Sequence, residues 1–572
     1  MPGKGPQPTA LALDAPNPLP RLRSSSTSSS PLEWIPVVSL EVQCSVEHFQ
    51  DGLVDLVLQP EHSSSTILRA DVLADDELDS PSGSGSEELA PFLEGYRCVR
   101  RLRRRILPNR PQFDWAMEQE CLFYQRRVDP EDGADDSNET PEREGLVVLL
   151  PDFEQLRQED PQGRLPYYHP QVHALAFRYL PSSSRSSPAS LRIDLVPLPS
   201  QPAVVAPLAQ SDRLFRTALV LVKFTAKLCT GHADGWQKRV HHDLLVGKEE
   251  VQDLYQKLKD KYNADIAPHS PRITFRWMLA SWRESTDATK HVFEDVAIAA
   301  WLMVLWREMY AESDGRPPGG FVDVGCGNGL LVFILNAEGY NGYGFDLRAR
   351  KSWSAYSPAP DLRVSSIHPP SLVASCHSDP STSAYPPGSF LIGNHADELT
   401  PWLPLLAACT PQSAFLNIPC CLHELHGRFD RQVYTIPEAF LSALPAPPPA
   451  SSPSPATDLP THPLLHPFYA PTPLALSSTA SGPSVTGGRY AAYQLYLAHL
   501  TLRCGFVPER EALRIPSTKN FGMVGRRRLY EGMGEKGEER VWEELESVLR
   551  EVERRGEWRA RKPEGKAGDK DH

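Results

Sequence analysis

The stretch Phe321-Val-Asp-Val-Gly-Cys-Gly-Asn-Gly-Leu-Leu-Val-Phe-Ile-Leu335 decides the fold of the C-terminal half. Its opening apolar run reads as a buried parallel strand. The alternating glycines permit a turn that side chains would block, and Leu330, Leu331, Ile334 and Leu335 are spaced to pack a following helix on a sheet. Tyr343-Gly-Phe-Asp346 then reads as a second strand ending in an acid. That is where a carboxylate accepts ribose hydroxyls in a doubly wound fold. The turn is expected to hold a nucleotide-like ligand; a bare turn between strand and helix is the alternative.

A pyrophosphate-binding turn follows Gly-x-Gly-x-x-Gly/Ala, whereas here Gly325, Gly327 and Gly329 alternate and Leu330 takes the last place, which disfavours a dinucleotide. Written as Asp323-x-Gly325-x-Gly327-x-Gly329, the segment resembles motif I of class I S-adenosylmethionine-dependent methyltransferases. The resemblance implies S-adenosyl-L-methionine as the cofactor held by these residues. Asp323 would face its methionine ammonium and Asp346 its ribose hydroxyls.

A chain of 572 residues has room for two or three domains. No apolar run approaches the ~20 residues of a membrane span, so no membrane partner is expected. Ten scattered cysteines and an N-terminus without a basic-then-apolar pattern point to a reducing, cytoplasmic setting. The net charge of -13 argues against a general nucleic-acid coat and leaves local basic clusters to decide phosphate contact. The clearest cluster is Arg97 to Arg110, seven arginines with Tyr96 and Phe113 nearby, a candidate RNA contact whose bland alternative is a solvated face.

Composition divides the chain into residues 1–33, disordered; 34–214, an N-terminal α+β domain with 74–90 mobile; 215–286, a helical connection; 287–530, a Rossmann-like domain interrupted by a disordered insertion over 445–488; and 531–572, a charged helical tail read as a solvated appendage. Strands are expected at Trp34–Val38, Gly52–Leu58, Gly145–Leu150, Ala174–Tyr179 and Leu191–Val196, and helices over Phe215–Lys227 and Lys248–Tyr262. The apolar helix Val296–Trp306 is expected to cap the sheet edge beside the glycine turn. Lys351-Ser-Trp353 leads into a Pro- and Ser-rich connection, after which Ser389–Trp402 and Ser413–Glu424 each read as a strand with a polar C-terminal end. In parallel sheets ligands collect at such ends. Phe506–Ile515 and Gly522–Gly525 read as a closing pair of strands around Pro516–Asn520.

Gly393-Asn-His-Ala-Asp-Glu-Leu399 and Ile418-Pro-Cys-Cys421, together with the glycine turn, Arg104–Pro108, Lys238–Asp243, Lys290–Asp295 and Pro516–Arg527, resemble the eukaryotic tRNA uridine 2'-O-methyltransferases that modify serine tRNAs near the variable arm. The likeness spans nearly all of the chain outside its low-complexity segments. It implies a class I methyltransferase fold, tRNA as partner and a ribose 2'-hydroxyl as acceptor. Some animal members carry a C-terminal cysteine-rich zinc module; here no cysteine lies beyond Cys504.

A ribose hydroxyl is a poor nucleophile, so such an enzyme must align it and manage one proton, which a placed acceptor speeds by typically ~10²–10⁴. Asp397, after the fourth strand of the sheet, is the first candidate for that acceptor, with a helix N-cap as its alternative. Lys290 and Lys519 are candidates to lower the hydroxyl's pKa by nearby positive charge, or to clamp phosphate. Where the common ribose methyltransferase tetrad has a lysine, the fifth strand carries Asn417, Pro419, Cys420 and Cys421. A zinc site from Cys420, Cys421, His423 and His426 is weighed and not expected, nor is one at His241–Asp243, because adjacent side chains chelate one ion poorly. Methylation of a protein or small molecule by the same donor site, and a tRNA-binding scaffold with a degenerate pocket, are the competing functions.

Overall fold

The computed structural model describes residues 6–21, 33–78, 93–111, 113–126, 143–182, 188–198, 208–209, 211–236, 242–263, 282, 284, 286–379, 382–445, 464–465, 484–486, 488–556 and 558–559. The chain divides into two compact units, Met1–Gln237 and Lys238–His572. The boundary therefore falls inside the stretch expected as a helical connection.

In the first unit the elements run β1 (Thr9–Ala10), β2 (Ile35–Val42), α1 (Val46–Leu58), β3 (Ile67–Glu77), β4 (Tyr96–Pro108), β5 (Met117–Arg126), β6 (Gly145–Pro151), α2 (Phe153–Glu159), β7 (Val172–Leu180), β8 (Ala189–Pro197) and α3 (Arg213–Ala233). The strands form one eight-stranded sheet in the order β1-β2-β8-β7-β6-β5-β4-β3, every neighbour antiparallel. Phe49 and Leu53 of α1 and Phe215 and Val222 of α3 join Val37, Phe177 and Ile193 of the sheet in one core.

Three expectations for this unit are corrected. Gly52–Leu58 is helix, because Ser45 caps α1 and Phe49, Leu53, Leu56 and Val57 recur on one buried stripe. At Gly52 a Cβ would lie 3.2 Å from Leu228 Cβ, so the glycine serves a close crossing of helices and not a strand start. Residues 1–33 and 74–90 are ordered in part: Thr9 and Ala10 pair with β2, Arg178 and Arg192 donate to the carbonyls of Asn17 (2.7 Å) and Pro16 (2.6 Å), and Ala74–Glu77 extend β3.

The basic segment is also less available than its composition implies. It forms β4, whose Arg100 makes a bidentate pair with Asp75, Arg101 pairs with Glu120 and Arg105 with Glu159. Arg104 is buried, donating to Gln119 Oε1 at 2.6 Å and to the carbonyls of Leu56 and Val57. Arg97, Arg103 and Arg110 are exposed.

The second unit contains α4 (Lys248–Asn263), α5 (Ala288–Met309), β9 (Phe321–Val324), α6 (Leu330–Ala337), β10 (Gly342–Asp346), β11 (Leu362–Val364), α7 (Pro369–Ser378), β12 (Phe390–Asn394), α8 (Leu403–Ala408), β13 (Ala414–Ile418), β14 (His423–Glu424), β15 (Gly427–Arg428), β16 (Val433–Thr435), α9 (Glu438–Ser442), β17 (Ser484–Thr486), α10 (Arg489–Arg503), β18 (Glu509–Ala512), β19 (Phe521–Gly525) and α11 (Glu535–Arg555). Its main sheet has the order β11-β10-β9-β12-β13-β19-β18. Strands β9 to β13 are mutually parallel, and β19 enters antiparallel between β13 and β18. The order reverses between β9 and β12, the switch point where a doubly wound sheet opens a ligand crevice.

Helix α5 lies on a face of this sheet and does not cap its edge. Trp306 packs against Phe321 of β9 and Phe390 of β12, two central strands, at centroid distances of 6.0 and 5.3 Å. Strand β11 and helix α7, in the Pro- and Ser-rich connection, were not expected. The charged tail is no appendage over 535–555: Leu545, Val548 and Val552 of α11, followed by Trp558, are buried in the opposite core, and Arg503 of α10 pairs with Glu544 (2.7 Å) and Glu551 (3.0 Å). Full burial of each such aliphatic side chain contributes roughly 1.5–3 kcal/mol. The insertion expected over 445–488 falls mostly outside the described residues; within it Leu464 and Leu465 are buried in the same core. Of Lys238–Asp243 only His242 and Asp243 are described; His242 contacts the Ala512 carbonyl and Asp243 pairs with Arg514, which gives them a structural role beside β18.

Candidate functional site

Gly325, Gly327 and Gly329 all adopt left-handed φ values, 75°, 52° and 76°. At Gly329 a Cβ would also lie 2.6 Å from Leu362 Cδ1, so a side chain is strained by the backbone and needs Leu362 to shift. Asn328 Oδ1 accepts from the Leu330 amide at 2.6 Å at the head of α6. The turn's carbonyls are tied down from outside: Trp353 Nε1 donates to Gly327 O at 2.9 Å, while the Ser352 and Tyr356 hydroxyls donate to Asn328 O at 2.9 and 3.0 Å. This explains Lys351-Ser-Trp353, a motif that sequence analysis singled out without a role.

Beneath the turn, Asp346 accepts from the Gly327 amide at 3.0 Å and from Arg350 at 3.3 Å. Asp323 is 1% exposed and its Oδ1 has no hydrogen-bond partner. Burial, then the Asp295 and Asp346 charges, raises its pKa well above the usual carboxylate range. Asp295 on α5 is equally enclosed, its pKa pushed up to about 8 by burial and then by Glu294. Asn394, at the end of β12, donates to Asp295 at 3.3 Å and keeps its own Oδ1 buried without a partner. Among the described residues no lysine or arginine pairs with Asp323 or Asp295. Sequence analysis missed Asp295; two acids interrupting the apolar run of α5 were the available signal.

Beyond Asn394 the chain makes a tight turn in which His395 (φ 55°) and Asp397 (φ 45°) are left-handed without being glycine. Such strain of order 1–3 kcal/mol per residue persists only where neighbours enforce it. Here His395 is held by Glu294 at 3.2 Å and its amide donates to the Ile418 carbonyl at 3.2 Å. Despite its burial Glu294 titrates below the usual range, because His395, Lys290 and His291 face it. Asp397 opens a short 3-10 helix that lacks a side-chain cap, so the N-cap alternative does not describe it.

Asn417 is buried, crowds Gly393, where a Cβ would lie 2.5 Å from its Oδ1, and donates to Thr400 O at 2.9 Å. Among the residues that depart from a lysine-containing tetrad, Asn417 braces the turn and does not line the cavity, whereas Cys420 does. Cys420 Sγ lies 3.9 Å from Asp397 Oδ1 and 3.5 Å from Cys421 Sγ. Lys519 donates to the Cys420 carbonyl.

The enclosed acids, the glycine turn, the Asn394–Asp397 turn and Cys420 border one cavity of about 680 Å³. Of the residues singled out from sequence, Asp323, Gly325, Gly327, Asp346, Lys290, Asp397 and Lys519 line it. Gly329 contributes through the turn alone. Trp558 also reaches the cavity, from beyond the tail helix, and no pattern in the sequence indicated it. The size suits a small-molecule cofactor, and paired buried carboxylates without a protein cation suit a ligand that brings its own positive charge.

Comparison with known proteins agrees with this geometry. Residues 13–239 match the family described as "TRM44-like, N-terminal bet v1-like domain", and residues 245–368 match "Predicted AdoMet-dependent methyltransferase". A tRNA (uracil-O(2)-)-methyltransferase of Neurospora crassa is 34% identical over 91% of this chain and 91% of its own length. The chain belongs to the tRNA (uracil-O(2)-)-methyltransferase family. Proteins of the same description from Schizosaccharomyces pombe and Eremothecium gossypii are 34% and 30% identical over 87% and 84% of the chain, and over 86% of their own lengths. Membership makes this an S-adenosylmethionine-dependent methyltransferase, as the motif resemblance implied. Among the described residues no helix is long and apolar enough to cross a membrane.

Proposed function

We propose that this chain transfers a methyl group from S-adenosylmethionine to the ribose 2'-hydroxyl of a uridine in tRNA, with serine tRNAs as substrates, in the cytoplasm, and that its second unit is a Rossmann-like class I methyltransferase domain. The observation that carries the donor half is the pair of enclosed carboxylates, Asp323 and Asp295, facing one cavity beside the glycine turn. Asp323 and Asp295 would accept the donor's ammonium, and Asp346 its ribose hydroxyls. Bound there, the donor supplies a methyl group already activated by its sulfonium charge. The acceptor half is supported by the activity that names the relatives and by the polar ends of β12 and β13. Ten free cysteines are consistent with a reducing compartment.

The chain's own contribution is alignment and proton handling. Asp397 accepts the hydroxyl proton, while Lys519 and Lys290 bring positive charge that favours the alkoxide. In the N-terminal unit, exposed Arg97, Arg103 and Arg110 supply the RNA contact of the basic segment, while Arg100, Arg101 and Arg105 pair with Asp75, Glu120 and Glu159. Methyl-labelled donor incubated with the purified chain and unmodified tRNA tests the assignment. Label is expected in RNA; label in protein with none in RNA would overturn it.

A further inference from the structure

The polar groups that end β12 and begin the turn after β13 carry more than proton transfer requires. Cys420 and Cys421 are adjacent, and on a strand their side chains would point apart. They lie instead beyond the end of β13, where the chain bends and brings their sulfurs to 3.5 Å. Asp397, from the strained turn after β12, closes the third corner with its oxygen 3.9 Å from Cys420 Sγ, and the three ligand atoms all lie within 4.8 Å of one another.

Those spacings can be compared with a tetrahedral zinc ion. Bonds of ~2.3 Å to sulfur and ~2.1 Å to a carboxylate oxygen require sulfurs ~3.8 Å apart and a sulfur-oxygen separation of ~3.6 Å. The observed 3.5 and 3.9 Å differ from these by a few tenths of an ångström, and the third separation, within 4.8 Å, closes by rotation of the Cys421 or Asp397 side chain. The expectation that neighbouring cysteines cannot share an ion is thus answered by the turn. Histidines are not the remaining ligands: among the described residues neither His423 nor His426 joins the cluster.

We propose that Asp397, Cys420 and Cys421 form a binding site for a thiophilic divalent cation of the zinc type, and that its occupancy stops methyl transfer. Binding releases both thiol protons to solvent and joins two thiolates and one carboxylate to the dication, giving a net charge of minus one. Lys519, already donating to the Cys420 carbonyl, lies close enough to offset that charge. Entry is open, since Cys421 is exposed and the cavity reaches Asp397 and Cys420. The inhibitory half rests on the assignment of Asp397 as proton acceptor, because a carboxylate committed to the metal no longer takes the hydroxyl proton.

The test uses the full chain stripped with a chelator and titrated with cobalt(II) as a spectroscopic probe, then with zinc in competition against a chromophoric chelator. One equivalent is expected, with thiolate-to-cobalt charge-transfer absorption. Cys421→Ser, at an exposed position, should keep its thermal transition and lose affinity by at least about tenfold, an effect already seen for residues that merely support a ligand. Zinc should suppress labelled methyl transfer to tRNA in the range in which it binds, and chelator should restore it. Absence of the absorption, or equal affinity in the variant, would overturn the site. Full transfer by the loaded enzyme would overturn the inhibition, and absorption in a chain that transfers no methyl in either state would uphold the site while sinking the proposed acceptor.

Discussion

Asn394 donates its side-chain amide to Asp295 at 3.3 Å, joining the end of β12 to α5 at the cavity that both residues line. Beside this bond the Asn394 side-chain oxygen and Asp323 Oδ1 are buried without partners. A protein stores such cost where a ligand relieves it, since an unpaired buried acceptor costs about 1–3 kcal/mol.

Replacing Asp323 by Asn should therefore separate binding from stability. Donor affinity, measured by calorimetry, is expected to fall by about 2–5 kcal/mol, more than tenfold in Kd, as one partner of a buried charge pair disappears. The thermal midpoint of the donor-free protein should stay nearly level, because the raised pKa already favours a neutral Asp323 carboxyl there and the amide has its shape. Unchanged donor affinity would contradict the assigned role.

Asp295 sets a pH dependence whose sign is fixed. Its folded pKa, about 8, lies above its ordinary value of 3.8, so its contribution to stability is fully present below that value and is lost as pH rises toward 8. Thermal midpoints of the donor-free protein should decline over that window, and Asp295→Asn should flatten the decline. Donor binding draws the carboxylate into its charged form, so calorimetry in buffers of different ionisation enthalpy should register proton release near neutral pH. Buffer-independent heats would contradict this.

Gly329→Ala forces a side chain into left-handed backbone and into Leu362. Loss of stability of about 1–3 kcal/mol is expected, with weakened donor binding, read by denaturant titration and calorimetry. A fully stable, donor-competent variant would show that the turn is not constrained as described.

Asp397→Asn should lower kcat by roughly 10²–10⁴ while leaving donor Kd within a few fold. Lys519→Met should lower kcat in the same assay and shift the pH-rate profile upward. A change confined to donor Kd would move both residues from proton handling to donor binding.

Arginines of the basic segment Arg97 to Arg110 should divide by exposure. Paired Arg103→Ala and Arg110→Ala changes are expected to weaken tRNA binding and reduce the slope of log affinity against log salt by ~0.9 per lost phosphate contact at most. Arg104→Ala should instead destabilise the fold, since it strips buried partners from Gln119 and from the end of α1. Identical salt slopes in the exposed pair and the wild type would remove β4 from the RNA surface.

How much of this was legible before the structure follows from what each segment buries. Phe321–Leu335 was clear because a parallel strand buried on both faces, a glycine turn and an apolar helix leave an unambiguous order of residue types. Gly52–Leu58 was misassigned because a short apolar run has the same composition as strand or helix, and only the Ser45 cap and the crossing at Gly52 decide between them. Helix α11 hid its core role because a few apolar residues on one stripe suffice to bury it among many charges. Trp558 joins the cavity through tertiary packing alone, Asp295 was marked only as one of two acids in the apolar run of α5, and β11 is too short to carry a period. The residues that line the cavity around the glycine turn were legible by motif, while the proximity of Asp397 to Cys420 and Cys421 needed two loops from different strands to meet.

Mass spectrometry of nucleosides from an unmodified serine tRNA transcript, incubated with the full chain and S-adenosylmethionine, tests the central claim most directly. The account predicts 2'-O-methyluridine formed with the wild type and lost with Asp397→Asn. A methyl group on a base, or no modified uridine in a chain that binds the donor, would contradict it.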